Sequence, residues 1–383
     1  MRIINFIQLK RHMNRHNKPV YRFTAKSLHL DLPLLGLLLT LITFGLLILY
    51  SASNANMGMI LRQSMRLVFA TFIMLILGFI PPHKYKIWTP WIYSIGLTLL
   101  IAVMLMGKIG KGAQRWLELG LFRFQPSEIM KLAVPMMAAW FFDRQAHPSS
   151  LKSISVAALI IFIPVLLIAK QPDLGTAIMV ATAGLCVVFL AGIRFKIILL
   201  IAVLIGSSVP IVWHVMHDYQ KQRIYTLLDP EQDPLGSGYH IIQSKIAIGS
   251  GGLMGKGWLE GSQSHLNFLP EHATDFIFAV SGEEFGFAGG FAIIALIILI
   301  SLRSLNIASN AQTSFTRLLA ASLAMSFFLS GFVNIGMVMG IIPVVGIPLP
   351  LVSYGGTAMV TFLASFGILM SISSHRILFN SLH

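Results

Sequence analysis

The chain has 383 residues, 56% of them hydrophobic and 11% charged, and its formal net charge is +14. This composition leaves too few charged side chains to cover a soluble domain, so it predicts a polytopic membrane protein. The basic residues are scattered among short loops and form no single stripe with aromatics, so no nucleic-acid partner is expected. The one cysteine, Cys186, excludes an intramolecular disulfide and indicates neither redox chemistry nor a thiolate metal site.

Apolar runs of about 18 to 25 residues recur along the chain, and about 20 helical residues cross a bilayer core roughly 30 Å thick. They predict an all-α integral membrane protein with about ten transmembrane helices and a large extracytoplasmic loop between helices 7 and 8. The predicted spans are 31–51, 60–80, 87–106, 126–143, 154–169, 174–193, 197–216, 276–301, 315–340 and 354–374. The predicted parts are a basic arm (1–30), helices 1–7 (31–217), the loop (218–275), and helices 8–10 with a short tail (276–383).

Charge predicts the orientation in the membrane. Residues 1–30 carry seven Lys/Arg and no acid, and no small-residue cleavage site follows the first apolar run. We therefore expect an uncleaved first helix behind a solvated cytoplasmic arm that faces the membrane lipids. Sixteen of the 28 basic residues then lie at cytoplasmic ends, whereas twelve of the fourteen acids, all but Asp31 and Asp143, lie outside. Both termini are expected in the cytoplasm.

Five cations around the junction of helices 3 and 4 lie on the external side, where the positive-inside rule disfavours basic residues. Two explanations stay open: pairing with the external acids, or a site for an anionic head group such as a lipid phosphate or diphosphate. The five are Lys108, Lys111, Arg115, Arg123 and Lys131.

Two predicted helix starts carry ionisable side chains. Pro126 and the two residues after it, Ser127 and Glu128, predict the start of helix 4. Glu128 and Lys131 are then i and i+3 on one face, either as a structural ion pair or as a substrate-binding pair. At the next start, in KQPDLGT, capping of the helix is the favoured role of Asp173.

Proline and glycine interrupt the apolar run after helix 9, which reads GIIPVVGIPLPLVSYGGT. Such a segment cannot stay helical, and its backbone must be satisfied by protein or water. We therefore expect a re-entrant or surface-hugging loop that lines a cavity open to the outer leaflet.

The polar loop contains HIIQSKIAIGSGGLMGKG, which predicts a short surface helix followed by glycines around Lys256. These glycines would let backbone amides approach a ligand, although the spacing matches no P-loop or dinucleotide motif. Glu283 and Glu284 follow Asp275 by eight or nine residues, so one continuous helix would place them roughly 12–14 Å into the bilayer. An interhelical polar contact is the first interpretation of this pair.

Glu271, Thr274 and Asp275 immediately precede the apolar run FIFAV. Thr274 or Asp275 is placed to cap helix 8. The alternative is chemical, because a carboxylate at the outer interface near several cations can accept a proton from a sugar hydroxyl.

Several motifs together resemble the SEDS family (shape, elongation, division and sporulation), and specifically its rod-shape branch, RodA. The resemblance covers essentially the whole chain after the basic arm. GKGW followed by GSQS favours the elongation branch over the division branch, FtsW. The motifs are GAQRW (112–116), FQPSEIMK (124–131), QPDLGTA (171–177), DPLGSGYHIIQSKIAIGSGGLMGKGW (233–258), FLPEHATDFIF (268–278) and GIPLPLVSYGG (346–356).

The resemblance implies a peptidoglycan glycosyltransferase that polymerises lipid II at the periplasmic face of the bacterial inner membrane. Its implied partners are a class B penicillin-binding protein as transpeptidase and the elongation machinery. By motif position, Asp275 is the general base, and Glu128 and Lys131 match residues that the family needs for activity. Asp173 matches a sensitive position that acts through structure. Ala273 departs from the pattern, which usually has His there.

On this basis Asp275, supported by Glu271 and Thr274, would deprotonate an acceptor sugar hydroxyl. Arg115, Lys131 and Lys256 would stabilise the departing diphosphate, helped or replaced by a divalent cation such as Mg²⁺ or Mn²⁺. No acidic cluster in the sequence predicts a metal site built by the protein. Two rival hypotheses are a lipid II flippase and a non-catalytic scaffold for the penicillin-binding protein.

Overall fold

The computed structural model describes residues 30–110, 113–119, 122–145, 150–193, 218–233, 236–265 and 271–375, together with isolated positions between 197 and 216. The predicted basic arm and most of the predicted span 197–216 lie outside the described residues.

The described chain is almost entirely helical, and seven of its helices are long and apolar enough to cross a membrane: α1, α2, α3, α5, α11, α12 and α13. Apolar α6 and proline-started α4 have 17 residues each. The chain is thus an all-α, multi-pass membrane protein. The helices are α1 Leu32–Ala52, α2 Met57–Phe79, α3 Pro82–Met106, α4 Pro126–Phe142, α5 Leu151–Lys170, α6 Leu174–Leu190, α7 Asp218–Leu228, α8 Ser237–Ser250, α9 Ser262–His265, α10 Ile277–Glu284, α11 Gly286–Ser309, α12 Ser314–Val338 and α13 Thr357–Ser374.

Successive spanning helices alternate in direction, so the bundle has two ends. We call the end that carries α7 to α10 and the segment 339–356 the loop end, and the other the opposite end. At the opposite end Asp31 caps α1 by accepting from the Leu34 amide and binds Arg303 of α11 at 2.8 Å. At the loop end the Ser51 hydroxyl of α1 donates to Glu284. These two contacts show that α1 and α11 lie antiparallel along most of their length.

A small antiparallel sheet lies at the loop end, between α3 and α4. It consists of β1 Lys108–Gly110, β2 Ala113–Leu119 and β3 Phe122–Phe124, in that order. Strand β2 contacts both α3 and α4. The sequence predicted only an external segment here, because two of the three strands have three residues and carry too little alternation to be recognised.

The predicted span 276–301 is two helices, not one. Helix α10 ends at Glu284 and α11 begins at Gly286, whose φ of +64° is in the left-handed region. The predicted continuous helix through Glu283 and Glu284 is therefore wrong, and Glu284 lies beside Ser51, next to the last residue of α1. The predicted interhelical contact of this pair is confirmed by the bond between Glu284 and α1.

The glycine-rich loop after α8 completes this helix break. The amides of Lys256 and Gly257 donate to the last two carbonyls of α10, at 3.0 and 3.1 Å. In return, the amides of Phe287 and Ala288 donate to loop carbonyls at 2.9 and 3.1 Å. A Cβ on Gly255, whose φ is +84°, would lie 2.0 Å from the Glu284 carbonyl oxygen. The prediction that backbone amides of this loop approach a ligand is therefore wrong for Lys256 and Gly257, because both amides donate to carbonyls of α10.

Candidate functional site

Asp275 lies in a turn that connects the polar loop to α10. Glu271 has a φ of +55°, and its carboxylate accepts from the Thr274 hydroxyl at 2.8 Å. Helix α10 begins one residue later than expected, with Phe276 as its N-cap and no side-chain capping bond. The capping role considered for Thr274 and Asp275 is therefore wrong, and the Asp275 carboxylate is half-buried outside the helix.

Three hydrogen bonds from other elements hold this turn. Asn334 of α12, which is fully buried, donates to the Asp275 carbonyl at 2.8 Å and to the Ile347 carbonyl at 2.7 Å. The Ser353 hydroxyl donates to the Thr274 carbonyl at 2.6 Å, and the Tyr354 amide donates to the Ala273 carbonyl at 2.9 Å. The segment 339–356 is non-helical, as predicted, and it fixes the backbone that presents Asp275.

The Asp275 side chain lies over Gly346. A Cβ built on Gly346 would lie 3.5 Å from Asp275 Oδ2, and the φ of this glycine is +72°. The same segment also contacts the start of α6, because a Cβ on Gly175 would lie 2.7 Å from the Val345 carbonyl oxygen. The QPDLG motif and Asp275 therefore both contact the same short segment, residues 345–347.

Asp173 joins three elements. It caps α6 by accepting from the Thr176 amide at 3.4 Å, which confirms the predicted capping role. Its other oxygen accepts from Gln125 at 2.8 Å, and Arg115 Nη1 lies 3.8 Å from its carboxylate. Arg115 also donates to the Gln171 and Pro172 carbonyls. Arg115, predicted as a diphosphate ligand, is thus engaged in tying β2 to the start of α6.

Glu128 and Lys131 form the predicted i, i+3 pair, with Lys131 Nζ 2.7 Å from Glu128 Oε1. The second oxygen of Glu128 is buried and has no hydrogen-bond partner among the described residues. Helix α4 begins at Pro126, as predicted, and this start places the pair in its first two turns.

Lys131 lines a small cavity of about 20 Å³, room for about one water molecule, between α4, α6, α12 and α13. Its walls combine apolar side chains with four hydroxyls, each of which donates to a carbonyl of its own helix and keeps lone pairs for a ligand. The hydroxyls belong to Ser326, Ser330, Thr361 and Ser365. The cavity thus combines a cation with hydroxyls and apolar walls, and it is too small in this structure to enclose a lipid head group.

Lys256 is bound at the break between α10 and α11. Its Nζ is 2.7 Å from the fully buried Glu283 carboxylate and 2.8 Å from the Ser262 hydroxyl. Glu283 also accepts from the Gln263 amide at 3.1 Å. These contacts indicate that Lys256 stabilises the helix break.

Two side chains that hold the site were missed by the sequence analysis: Asn334 and Ser353. An asparagine near the end of an apolar span is costly to bury without partners, and that signal was available. As to a metal, no three His, Cys, Asp or Glu side chains in the described ranges cluster closely enough to hold an ion. The residues that the structure describes therefore do not fit a metal site built by the protein.

The fold and site together define a multi-pass membrane protein with a presented carboxylate and a cation-lined cavity at one end. The model of the FtsW/RodA/SpoVE family of cell cycle proteins matches residues 32–377. The chain belongs to this family, and the resemblance seen in the sequence is confirmed.

Named relatives agree with this assignment. The chain is 54% identical over 351 residues to the peptidoglycan glycosyltransferase MrdB of Escherichia coli K12, covering 91% of this chain and 95% of MrdB. It is 31% identical to the peptidoglycan glycosyltransferase RodA of Treponema pallidum, covering 91% and 98%.

Solved structures share the fold. One chain belongs to a peptidoglycan synthase complex that coordinates polymerization and crosslinking; its TM-score is 0.80 at 31% identity, covering 91% of this chain and 99% of that chain. RodA of Thermus thermophilus gives a TM-score of 0.68 at 25% identity, covering 90% and 96%.

Proposed function

We propose that this protein is a peptidoglycan glycosyltransferase that polymerises lipid II into β-1,4 glycan strands during cell elongation. The observation that carries the proposal is the Asp275 carboxylate, half-buried over Gly346 in a turn clamped by Asn334 and Ser353. A base must be held in position to take a proton from a bound hydroxyl, and this turn is fixed by bonds from two other elements.

In the proposed reaction, Asp275 takes the proton of the acceptor GlcNAc 4-hydroxyl. That oxygen attacks the anomeric carbon of the donor MurNAc, the bond to undecaprenyl diphosphate breaks, and the configuration at this carbon inverts. The leaving diphosphate carries the negative charge away. Lys131, beside Glu128 and with part of its side chain exposed, is placed to bind this anion, because a charge-assisted hydrogen bond is strong in an apolar setting.

We further propose that the loop end faces the periplasm and that both termini are cytoplasmic. The charge distribution supports this orientation, since twelve of the fourteen acids are assigned to the loop end. The proposed partner is a class B penicillin-binding protein of the elongation machinery, a pairing favoured by the relative found in a peptidoglycan synthase complex. A divalent cation such as Mg²⁺ or Mn²⁺ brought by the diphosphate is an alternative to protein cations, and chelation with EDTA tests it.

The test is lipid II polymerisation by the purified protein with its penicillin-binding partner. Wild type is compared with Asp275→Asn, which keeps the side-chain size and removes the base, and with Asp233→Asn, which removes a carboxylate elsewhere in the polar loop. Thermal unfolding and partner binding are measured for all three. We expect no polymer from Asp275→Asn, and polymer from wild type and Asp233→Asn.

Equal polymer from wild type and Asp275→Asn would remove this residue as the base. If wild type makes no polymer but moves lipid II across vesicle membranes, the protein is a flippase. A wild type that does neither, yet raises the crosslinking activity of its partner, would be a scaffold.

A further inference from the structure

A stripe of polar side chains runs along α12 towards the candidate base. Ser326, Ser330 and Asn334 are spaced four residues apart, so they lie on one face of the helix. Asn334 binds the Asp275 carbonyl, and the two serines line the small cavity beside Lys131. The stripe therefore connects the surroundings of Lys131 with the turn that presents Asp275.

The hydroxyls around this cavity offer oxygen lone pairs and no protons. Ser326 and Ser330 donate to carbonyls four residues earlier in α12, both at 2.8 Å. Thr361 and Ser365 of α13 do the same at 3.0 and 2.9 Å. Because each hydroxyl proton is already bound, a molecule between these helices must donate hydrogen bonds to the oxygens that it contacts.

Lys131 can donate more hydrogen bonds than the side chains around it accept. Its ammonium group carries three N–H donors, and its hydrogen-bond partner within the described ranges is Glu128, at 2.7 Å. The side chain is 17% exposed, so much of it lies away from solvent. Charged groups with unbound protons are costly to bury, so a second acceptor beside Lys131 would stabilise it.

Helix geometry selects two of the four hydroxyls as neighbours of Lys131. At 1.5 Å per residue, Lys131 lies about 8 Å from the start of α4, and Thr361 lies about 6 Å from the start of α13. Ser330 lies about 12 Å before the end of α12. These three helix termini are all at the loop end. Ser326 and Ser365 each lie about 6 Å deeper on the same two helices.

The cavity has the size and chemistry of a site for one water molecule. Its volume of about 20 Å³ exceeds the roughly 10–15 Å³ that a water needs, and a buried water requires several polar partners. Water can accept from Lys131 and donate both of its hydrogens to hydroxyl oxygens. A cation would be repelled by Lys131, and an anion would meet oxygens that have no proton to donate.

We propose that one buried water molecule links Lys131 to Ser330 of α12 and Thr361 of α13, and that these two hydroxyls are positioning residues for Lys131. Of the three N–H donors, one binds Glu128 and one binds the water, which leaves the third for the leaving diphosphate. The inference rests on the proposed function, because it explains how the ammonium group is held while that anion departs.

The first experiment looks for the water in density maps of the detergent-purified full chain, at a resolution that shows ordered waters. Wild type is compared with Ser330→Ala/Thr361→Val, which removes both acceptors. Thr89→Val is the matched control, because Thr89 of α3 is fully buried and donates to the carbonyl four residues earlier at 2.7 Å, outside the cavity. We expect the water and one ordered position of Lys131 in wild type and in the control, and neither in the double variant.

The second experiment measures lipid II polymerisation and melting temperature of the same proteins, with Thr361→Ser added because serine keeps the hydroxyl. The rate at saturating lipid II should fall about tenfold in the double variant, as expected when hydrogen bonds to a charged group are lost. Thr361→Ser and Thr89→Val should polymerise at the wild-type rate. A merely structural role would instead lower the melting temperature of the double variant and of Thr89→Val alike.

No water in wild type, or a water retained by the double variant, would overturn the site. Loss of the water with unchanged polymerisation would overturn the positioning role. If the double variant does not fold, Thr361→Val alone replaces it and is judged by the same outcomes. A wild type that makes no polymer would contradict the proposed function, whereas the density map, which needs no turnover, still decides whether the water is bound.

Discussion

The two ends of the bundle treat their polar groups differently. At the opposite end, Asp31 accepts from the Leu34 amide, from two nitrogens of Arg303 and from Ser373. Asp143 there binds Lys86 and accepts from the Phe315 amide at 2.9 Å. Each carboxylate of this end is bound from at least two elements, so this end is built for stability.

The loop end is less completely satisfied. Among the residues that the structure describes, it contains several buried side-chain oxygens with no hydrogen-bond partner. Buried polar groups are nearly always hydrogen-bonded, so a group of exceptions at one end indicates a functional surface. The side chains are Ser127, Glu128, Thr226, Gln263, Ser281 and Asn334. Chemistry and structural support are thus divided between the two ends of the bundle.

After the complete loss expected from Asp275→Asn, the largest effect on polymerisation is expected from Glu128→Gln. The change removes the charge that pairs with Lys131 at 2.7 Å and keeps the side-chain size. We expect polymerisation to fall by about a hundredfold, equivalent to about 2.7 kcal/mol in the barrier, with little change in melting temperature. The assay is lipid II polymerisation, with Glu231→Gln, an exposed acid of the polar loop, as control. Normal activity in Glu128→Gln would contradict a functional role for the pair.

Arg303→Gln should lower the melting temperature and leave polymerisation unchanged, the reverse of Glu128→Gln. It leaves Asp31, whose side chain is 4% exposed, without its ion-pair partner. Loss of one partner from a partly buried pair costs about 2–4 kcal/mol, so the melting temperature should fall while polymerisation per folded molecule stays normal. The double variant Asp31→Asn/Arg303→Gln should recover part of the loss. Additive losses would show that the two side chains are not coupled.

Gly255→Ala tests the helix break at the loop end. A Cβ there would approach the Glu284 carbonyl to 2.0 Å, and the φ of +84° disfavours any side chain. We expect a loss of about 1–3 kcal/mol in stability, measured by thermal unfolding. Gly249→Ala is the matched control, because a Cβ on Gly249 meets nothing within 4 Å. Equal stability of both variants would mean that the close approach of the loop is not required.

The smallest expected effect is the pH dependence of the stability that Asp31 contributes. Burial raises the pKa of Asp31, but hydrogen bonds from Arg303, the Leu34 amide and Ser373 more than offset it and leave the pKa below the ordinary value of 3.8. The stabilisation is therefore fully present above the unfolded pKa and lost as the pH falls through the folded one. The melting temperature of wild type should exceed that of Asp31→Asn at pH 7, and the gap should narrow below about pH 4. A gap independent of pH would contradict this account.

Local rules predicted much of the loop end from sequence. Pro126 starts α4, Glu128 reaches Lys131, Asp173 caps α6, and the proline-rich segment 339–356 is non-helical. Each depends on residues close together in the chain, where spacing determines geometry.

Long-range contacts determined what the sequence did not predict. In the sequence, the residues around Gly286 look like one continuous helix. The loop that stabilises the break there lies about 30 residues earlier in the chain. The same holds for Asn334, whose partners Asp275 and Ile347 come from two other segments. Lys256 was assigned to substrate by its charge, whereas its contact with Glu283 depends on that break.

The most direct test of the division between the ends is a crossed measurement on Asp275→Asn and Asp31→Asn. Lipid II polymerisation per folded molecule and melting temperature are recorded for both variants and for wild type. The account predicts that Asp275→Asn loses polymerisation and keeps its melting temperature, whereas Asp31→Asn loses melting temperature and keeps polymerisation. Loss of both properties in both variants, or polymerisation by Asp275→Asn, would contradict it.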